Sequence, residues 1–274
     1  MTLKIVDFDR VNQNRDYISF SEIHLFSSCP FKHDLTYNQG IRDDGSFYTM
    51  YGSALHEAIE QKWKYKNDLA WLRMGKIVYL VSKLNSDETN KFAKKTPSEW
   101  VQSSLRIYKD FFPWMEENFP DCELFDIEYE LKEPLEGFNR HFKGYIDLIL
   151  YNSKEDIYHI IDLKTSGWGW GKDQLSDTKK LYQVILYKSF FCNKENIPRE
   201  KVKCHYLLLL RGPPKNKSSI VLHSMTSGNK KLLNAEQWMY ETLELVKKGI
   251  KLKNPSTCSF CTCGAKKWTP KKRS

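Results

Sequence analysis

Between His141 and Thr165 lie two strand-like runs, His141–Tyr151 and Ile157–Thr165, separated by the polar break Asn152-Ser-Lys-Glu-Asp156. A break that short joins antiparallel neighbours, so the pair reads as a β-hairpin. A hairpin constrains a chain tightly because it fixes register as well as structure. With residues 153–156 as the loop, residues whose numbers sum to 309 face each other, which sets Asp147 opposite Asp162. Side chains alternate between faces along a strand, so Lys164 shares the face of Asp162, one pleat away.

The surroundings supply more strands and helices. Ahead of the hairpin, Phe125, Ile127, Tyr129 and Leu131 alternate with Asp126, Glu128, Glu130 and Lys132, the pattern of a half-buried strand. Behind it, Thr178–Cys192 has helical rhythm, Lys203–Leu210 is an apolar strand that Ser219–Met225 can pair with, and Ala235–Lys248 is a long helix. The first third is helical. Ser19-Phe-Ser-Glu22 reads as a capping box, and Cys29-Pro30 ends the helix that it opens. Tyr51–Tyr65 follows, then amphipathic pieces at Leu69–Leu72, Ile77–Val81 and Trp100–Phe112, divided near Pro97 and ended near Pro113. This order describes one α/β domain over residues 1–274, with a helical insertion at about 57–122 and a cysteine-bearing segment at 252–274.

Composition narrows the function classes. With 41% hydrophobic and 28% charged residues the chain is globular rather than disordered. No apolar run approaches the ~18 residues of a membrane span, and the opening MTLKIVDFDR has no signal-peptide core. Seven cysteines, an odd number, point to reduced thiols and a cytoplasmic home. Lys and Arg number 43 against 34 Asp and Glu, giving +9, a balance that suits a polyanionic partner. Aromatic residues at 14% add stacking surfaces of the kind that single-stranded nucleic acid uses.

Two facing carboxylates repel unless a cation lies between them. Asp147 and Asp162 are hard oxygen donors that suit Mg²⁺ or Mn²⁺. Lys164 beside the ion can orient or help deprotonate an attacking water and stabilise charge on a phosphoryl group. Taken singly, each residue has a plainer reading: Asp147 as a surface carboxylate, Asp162 and Lys164 as a same-face ion pair. Gly52-Ser-Ala-Leu-His56 puts a histidine on a helix with Glu60 one turn on, either a further metal ligand or a hydrogen-bonded helical histidine. Gln183 and Tyr187 lie one turn apart on the helix after the hairpin. In the loop Ser166-Gly-Trp-Gly-Trp-Gly-Lys172, Trp168 and Trp170 can stack on bases or tuck into the core.

Gly52-x3-His56, an acidic strand, Gly144-x2-Asp147, Asp162-Leu-Lys164 and Gln183-x3-Tyr187 occur in that order. The succession resembles the RecB-like branch of the PD-(D/E)XK nucleases, which includes CRISPR-associated and bacteriophage exonucleases. Ser19-Phe-Ser-Glu-Ile and the following Ser-Ser-Cys-Pro-Phe-Lys also look like the first helix of that group, so the resemblance covers about residues 19–263. It implies a restriction-endonuclease-like core, a central mixed sheet flanked by helices. It implies that Asp147, Asp162, His56 and the Leu163 backbone carbonyl hold Mg²⁺ or Mn²⁺, and that Lys164 is the catalytic lysine. Gln183 and Tyr187 would position DNA, joined by Trp168, Trp170 and Lys172. The family's additional glutamate falls to Glu128 or Glu130, with Glu128 preferred.

Many RecB-like nucleases tie the first helix to the C-terminus through an iron–sulfur cluster. Cys29, Cys258, Cys261 and Cys263 match that arrangement and would hold a [4Fe–4S] cluster or zinc, although Cys261-x-Cys263 is tighter than the family's late spacing. Cys122, Cys192 and Cys204 lack ligand spacing and read as buried free thiols. The function expected is that of a metal-dependent deoxyribonuclease acting as an exonuclease. A structure-specific endonuclease on the same site and a catalytically silent nucleic-acid-binding adaptor are the alternatives.

Overall fold

The computed structural model describes residues 15–41, 47–66 and 97–254. The helical pieces expected between residues 67 and 96, and Cys258, Cys261 and Cys263, lie outside the described residues. The chain forms two compact units, one of residues 1–43, 132–144 and 233–274, the other of residues 44–131 and 145–232.

In the first unit, β1 (Tyr17–Ser19) pairs in parallel with the start of β3 (His141–Asn152), Ile18 against Phe142. Helix α1 (Phe20–Ser28) starts at Ser19, whose hydroxyl accepts from the Glu22 amide at 3.3 Å. The capping box is only half formed. The Glu22 carboxylate turns away to Arg15 and His33, each at 3.2 Å. Pro30 ends α1 as expected, with Cys29 in extended backbone, and a four-residue helix α2 (Pro30–His33) restarts at once with the Cys29 thiol as its cap.

The second unit holds α3 (Phe47–Tyr65), α4 (Pro97–Asn118), β4 (Ile157–Ser166), α5 (Lys172–Ser176), α6 (Thr178–Glu195), β5 (Val202–Leu210) and β6 (Ile220–Met225). Strand β2 (Cys122–Pro134) and β3 run through both units, and α7 (Asn229–Lys247) starts in the second and continues in the first. The described strands form a six-stranded mixed sheet in the order β1-β3-β4-β5-β6, with β2 also paired to β3. β3–β4 and β5–β6 are antiparallel, whereas β4–β5 is parallel and joined through α5 and α6, because parallel neighbours need a crossover.

The hairpin register is the one expected, from Asn152 opposite Ile157 to Leu148 opposite Ile161. Its turn is held by Asn152, whose side-chain oxygen accepts from the amides of Lys154 and Glu155 at 3.0 and 3.1 Å. Parity then divides the sheet. Leu148, Leu150, Ile161, Leu163, Leu207 and Leu209 face a core made with α3 and α4, in which Tyr51, Leu55, Ile107 and Phe111 are fully buried. The alternate residues face α6, where Val184, Ile185 and Leu186 are buried.

One helix boundary differs from expectation. Helix α4 does not end near Pro113 but continues to Asn118. Pro113 lies on the exposed side, and the buried stripe Ile107, Phe111 and Met115 passes it without a break. Apolar packing thus outweighs the missing amide and the crowding of the Lys109 carbonyl, a cost of about 3 kcal/mol in an isolated helix. No helix among the described residues is long and apolar enough to cross a membrane.

Candidate active site

Asp147 and Asp162 each lie one position beyond Leu148 and Ile161, the last pair of the regular β3–β4 register. There the Asp147 carboxylate takes over from the strand backbone: its Oδ2 accepts from the Leu163 amide at 2.6 Å. Asp162 is 1% exposed, and the Lys164 ammonium lies 2.7 Å from its Oδ2 without an aligned hydrogen bond. Burial raises both carboxyls to about 6, partly offset by Lys164. Burial pulls Lys164 down, but the charges of Asp162 and Asp147 outweigh it and leave its pKa above the ordinary lysine value.

Helix α6 supports the lysine from behind. Lys164 Nζ donates to Gln183 Oε1 at 3.2 Å, and Gln183 Nε2 donates to the Tyr187 hydroxyl at 3.1 Å. Both residues are one turn apart and face the sheet, with Tyr187 only 5% exposed. The resemblance assigns them to DNA, whereas their polar groups here form a line that ends on Lys164.

Helix α3 brings His56. A Cβ placed on Gly52 would sit 2.9 Å from Thr165 Oγ1, so glycine lets the helix pass close to the end of β4. One turn on, His56 Nε2 is shielded from solvent and has no hydrogen-bond partner. Burial lowers its pKa to about 4, with Lys164 acting in the same direction and Asp162 against it. The imidazole is therefore neutral at pH 7, the form in which a ring nitrogen ligates metal.

Of the two candidate glutamates, Glu128 stands with the pair. Burial, then the neighbouring charges of Asp147, Glu60 and Asp162, raise it to about 7. Glu130 is exposed and accepts from the Tyr145 hydroxyl at 3.1 Å. Glu128 also carries φ +54° in the middle of β2, a left-handed conformation that is rare for a residue with a side chain.

The glycine loop splits its two tryptophans. Trp168 is 75% exposed, and Lys172 is exposed at the start of α5. Trp170 packs inward, parallel to His223 at 5.9 Å and tilted on Tyr206 at 5.0 Å, with Lys180 Nζ 4.1 Å from its ring centre. Sequence reasoning missed Tyr206 and Lys180. Tyr206 pairs with Asp162 across β4–β5, its ring centre is 6.0 Å from Lys164 Nζ, and its hydroxyl donates to the Lys180 carbonyl at 3.2 Å. The spacing Lys180, Gln183, Tyr187 on one helical face was a signal for Lys180. Nothing in the sequence sets the β4–β5 register that selects Tyr206.

Among the described residues no three His, Cys, Asp or Glu side chains form a ready-made metal cage. Donors suited to a hard divalent ion are nonetheless present: the shielded Nε2 of His56, the poorly satisfied Asp162 and the adjacent Asp147. The Cys29 thiol caps α2, Cys192 and Cys204 are buried free thiols, and Cys122, expected to be buried, is only half-buried. Burial pushes Cys192 to about 11 and Cys204 to about 12, so both are unreactive, as expected of buried thiols.

A family model described as the PD-(D/E)XK nuclease superfamily matches residues 17–265. In fold, the chain is similar to a solved structure from Eubacterium rectale named "Putative exonuclease". The TM-score is 0.56 at 15% identity, and the match covers 98% of this chain and 96% of that one. A comparison with curated proteins finds no match.

Proposed function

Because the chain belongs to the PD-(D/E)XK nuclease superfamily, we propose that it is a RecB-like, metal-dependent deoxyribonuclease that works as an exonuclease. The observation that carries this reading is the buried Asp162 with Lys164 2.7 Å away, beside Asp147. The name of the Eubacterium rectale structure favours exonuclease over endonuclease.

Asp147 and Asp162 would hold Mg²⁺ or Mn²⁺, with His56 Nε2 and the Leu163 carbonyl as further ligands and Glu128 at the rim. When bound, the ion supplies a water activated at neutral pH and neutralises phosphate charge. With no metal bound, the two aspartates hold the Lys164 pKa above the ordinary lysine value; beside the ion, Lys164 would orient or help deprotonate the attacking water and stabilise charge at the scissile phosphate. Gln183, backed by Tyr187, fixes the ammonium in place. Trp168, exposed in the glycine loop, offers a stacking surface, and Lys172 an exposed cation for the strand.

In the first unit, Cys29 is 3% exposed at the start of α2. The chain that leads towards Cys258 is pinned beside it. The Phe31 amide donates to the Leu252 carbonyl at 3.1 Å, and Asn254 Nδ2 donates to the Ser28 carbonyl at 2.9 Å. That anchoring supports the reading in which Cys29 joins Cys258, Cys261 and Cys263 around a [4Fe–4S] cluster or zinc.

Digestion of 5′- and 3′-labelled linear strands and of a closed circle, with Mg²⁺ or Mn²⁺ and with EDTA, tests the activity. The expected outcome is metal-dependent release from ends with the circle intact. Asp162→Ala should lose cleavage by more than about 100-fold while keeping DNA binding. Cutting of the circle would make the protein an endonuclease, and binding without any cleavage would make it an adaptor.

A further inference from the structure

The first unit contains an open cavity of about 620 Å³ that none of the catalytic candidates lines. Its wall includes Arg15, Glu22, Phe138, Arg140 and Lys247. The size suits one small ligand of nucleotide dimensions. Charge decides the sign of that ligand. Glu22, 1% exposed, is the one carboxylate of the wall; Arg15 already pairs with it at 3.2 Å, and the His33 ring nitrogen lies 3.2 Å from its other oxygen. Arg140 and Lys247 then remain as uncompensated cations, with no carboxylate among the described residues within ion-pair distance of either.

Three further observations point the same way. Arg15 Nε is buried without a hydrogen-bond partner among the described residues, and a phosphate oxygen would satisfy it. The Phe138 ring is half exposed, tilted on Tyr240 at 6.2 Å, with Lys247 Nζ 5.3 Å from its centre. An aromatic face next to two cations is the chemistry that takes a base and its phosphate together. Gly137, at φ +76°, makes the turn that presents Phe138 and Arg140 from the end of β2.

We propose that this cavity is a second nucleotide-binding site, in which Phe138 stacks on a base and Arg140 and Lys247 hold its phosphate. It rests on the reading that the substrate is nucleic acid, and it adds a subsite outside the catalytic residues. The same chemistry accepts a nucleotide within a strand or a free mononucleotide.

The test uses the full-length protein in EDTA, where no cleavage interferes, with fluorescent oligo(dT) and with dTMP as probes. Arg140→Ala/Lys247→Ala should bind oligo(dT) about 10-fold more weakly, and its salt slope should fall by about 1.4, the loss of two single-strand phosphate contacts. Phe138→Ala should weaken binding without changing the slope. A matched control, Lys215→Ala/Lys217→Ala, removes two exposed lysines outside the cavity and should leave binding within about twofold. Thermal unfolding establishes that each variant is folded. Loss of oligo(dT) binding without dTMP binding assigns the cavity to a strand, and loss of dTMP binding in the variant assigns it to a free nucleotide. Unchanged binding in the cavity variants, an equal loss in the control, or no binding of either probe by the unaltered protein overturns the proposal. Metal-dependent cleavage is scored separately, so the catalytic reading can fail without this one and the reverse.

Discussion

Lys164 is held by three partners of different chemistry: the Asp162 carboxylate, the Gln183 amide oxygen and the face of Tyr206. A buried ion pair of this kind contributes little net stability, but removing one member leaves the other charge stranded. Its value is positional, since it fixes an ammonium where a phosphate is expected. Gly52 has a similar indirect role, because its missing Cβ sets the approach of α3 to Thr165 and so the place of His56. Gly52→Ala should destabilise the protein by about 1–3 kcal/mol and weaken Mn²⁺ binding, measured by thermal unfolding with and without the ion. Glu128 shows the opposite trade. Its φ of +54° costs about 1 kcal/mol for a residue with a side chain. Glu128→Asn, which tolerates that conformation, should raise the melting temperature slightly while cleavage falls, and a loss of both would show that the strain is not local.

At the level of elements, β4 serves two purposes on its two faces. One face carries Asp162 and Lys164, and the other carries His159 into the α4 core. There His159 Nδ1 lies 3.0 Å from His205 Nε2, with both rings edge-on to Phe119. Burial holds His159 at about 4 and His205 at about 3, well below a free histidine. Between those values and pH 6.5 the unfolded chain binds the protons that the folded one refuses. The stability from keeping them neutral is therefore complete above pH 6.5 and is lost as pH falls towards 3. The buried carboxyls of Asp147 and Asp162, raised rather than lowered, act in the other direction, so the difference between variants is the informative quantity. His159→Gln/His205→Gln should lose less stability than the unaltered protein between pH 6.5 and 4 in denaturant titrations.

Over the whole molecule, charge and chain path matter more than any single contact. The surplus of nine positive charges favours a polyanion whatever the detailed site. The segment 251–254 returns to Cys29, with Lys251 Nζ 3.0 Å from Asp34 and Lys253 over the Phe31 ring at 4.5 Å. If Cys258, Cys261 and Cys263 complete a cluster with Cys29, anaerobically purified protein should contain about four irons and absorb near ~400 nm, and Cys29→Ala should lose both. Stoichiometric zinc without colour would assign zinc instead, and neither metal would remove the cluster from the reading.

The sequence by itself determined what depends on neighbours along the chain. The Asn152–Asp156 break set the hairpin register, parity put Asp162 and Lys164 on one face, and helical spacing brought Gln183 and Tyr187 into line. These are short-range geometric rules with one solution each. Tertiary structure decided what depends on distant segments. It put Glu128 within the field of Asp147 and Asp162 and left Glu130 exposed, drew Tyr206 beside Asp162 through the parallel pairing of β4 and β5, turned Trp170 inward while leaving Trp168 outside, and carried α4 through Pro113. Each of those outcomes is a balance of burial and packing between residues far apart in sequence, and no local pattern records which partner arrives.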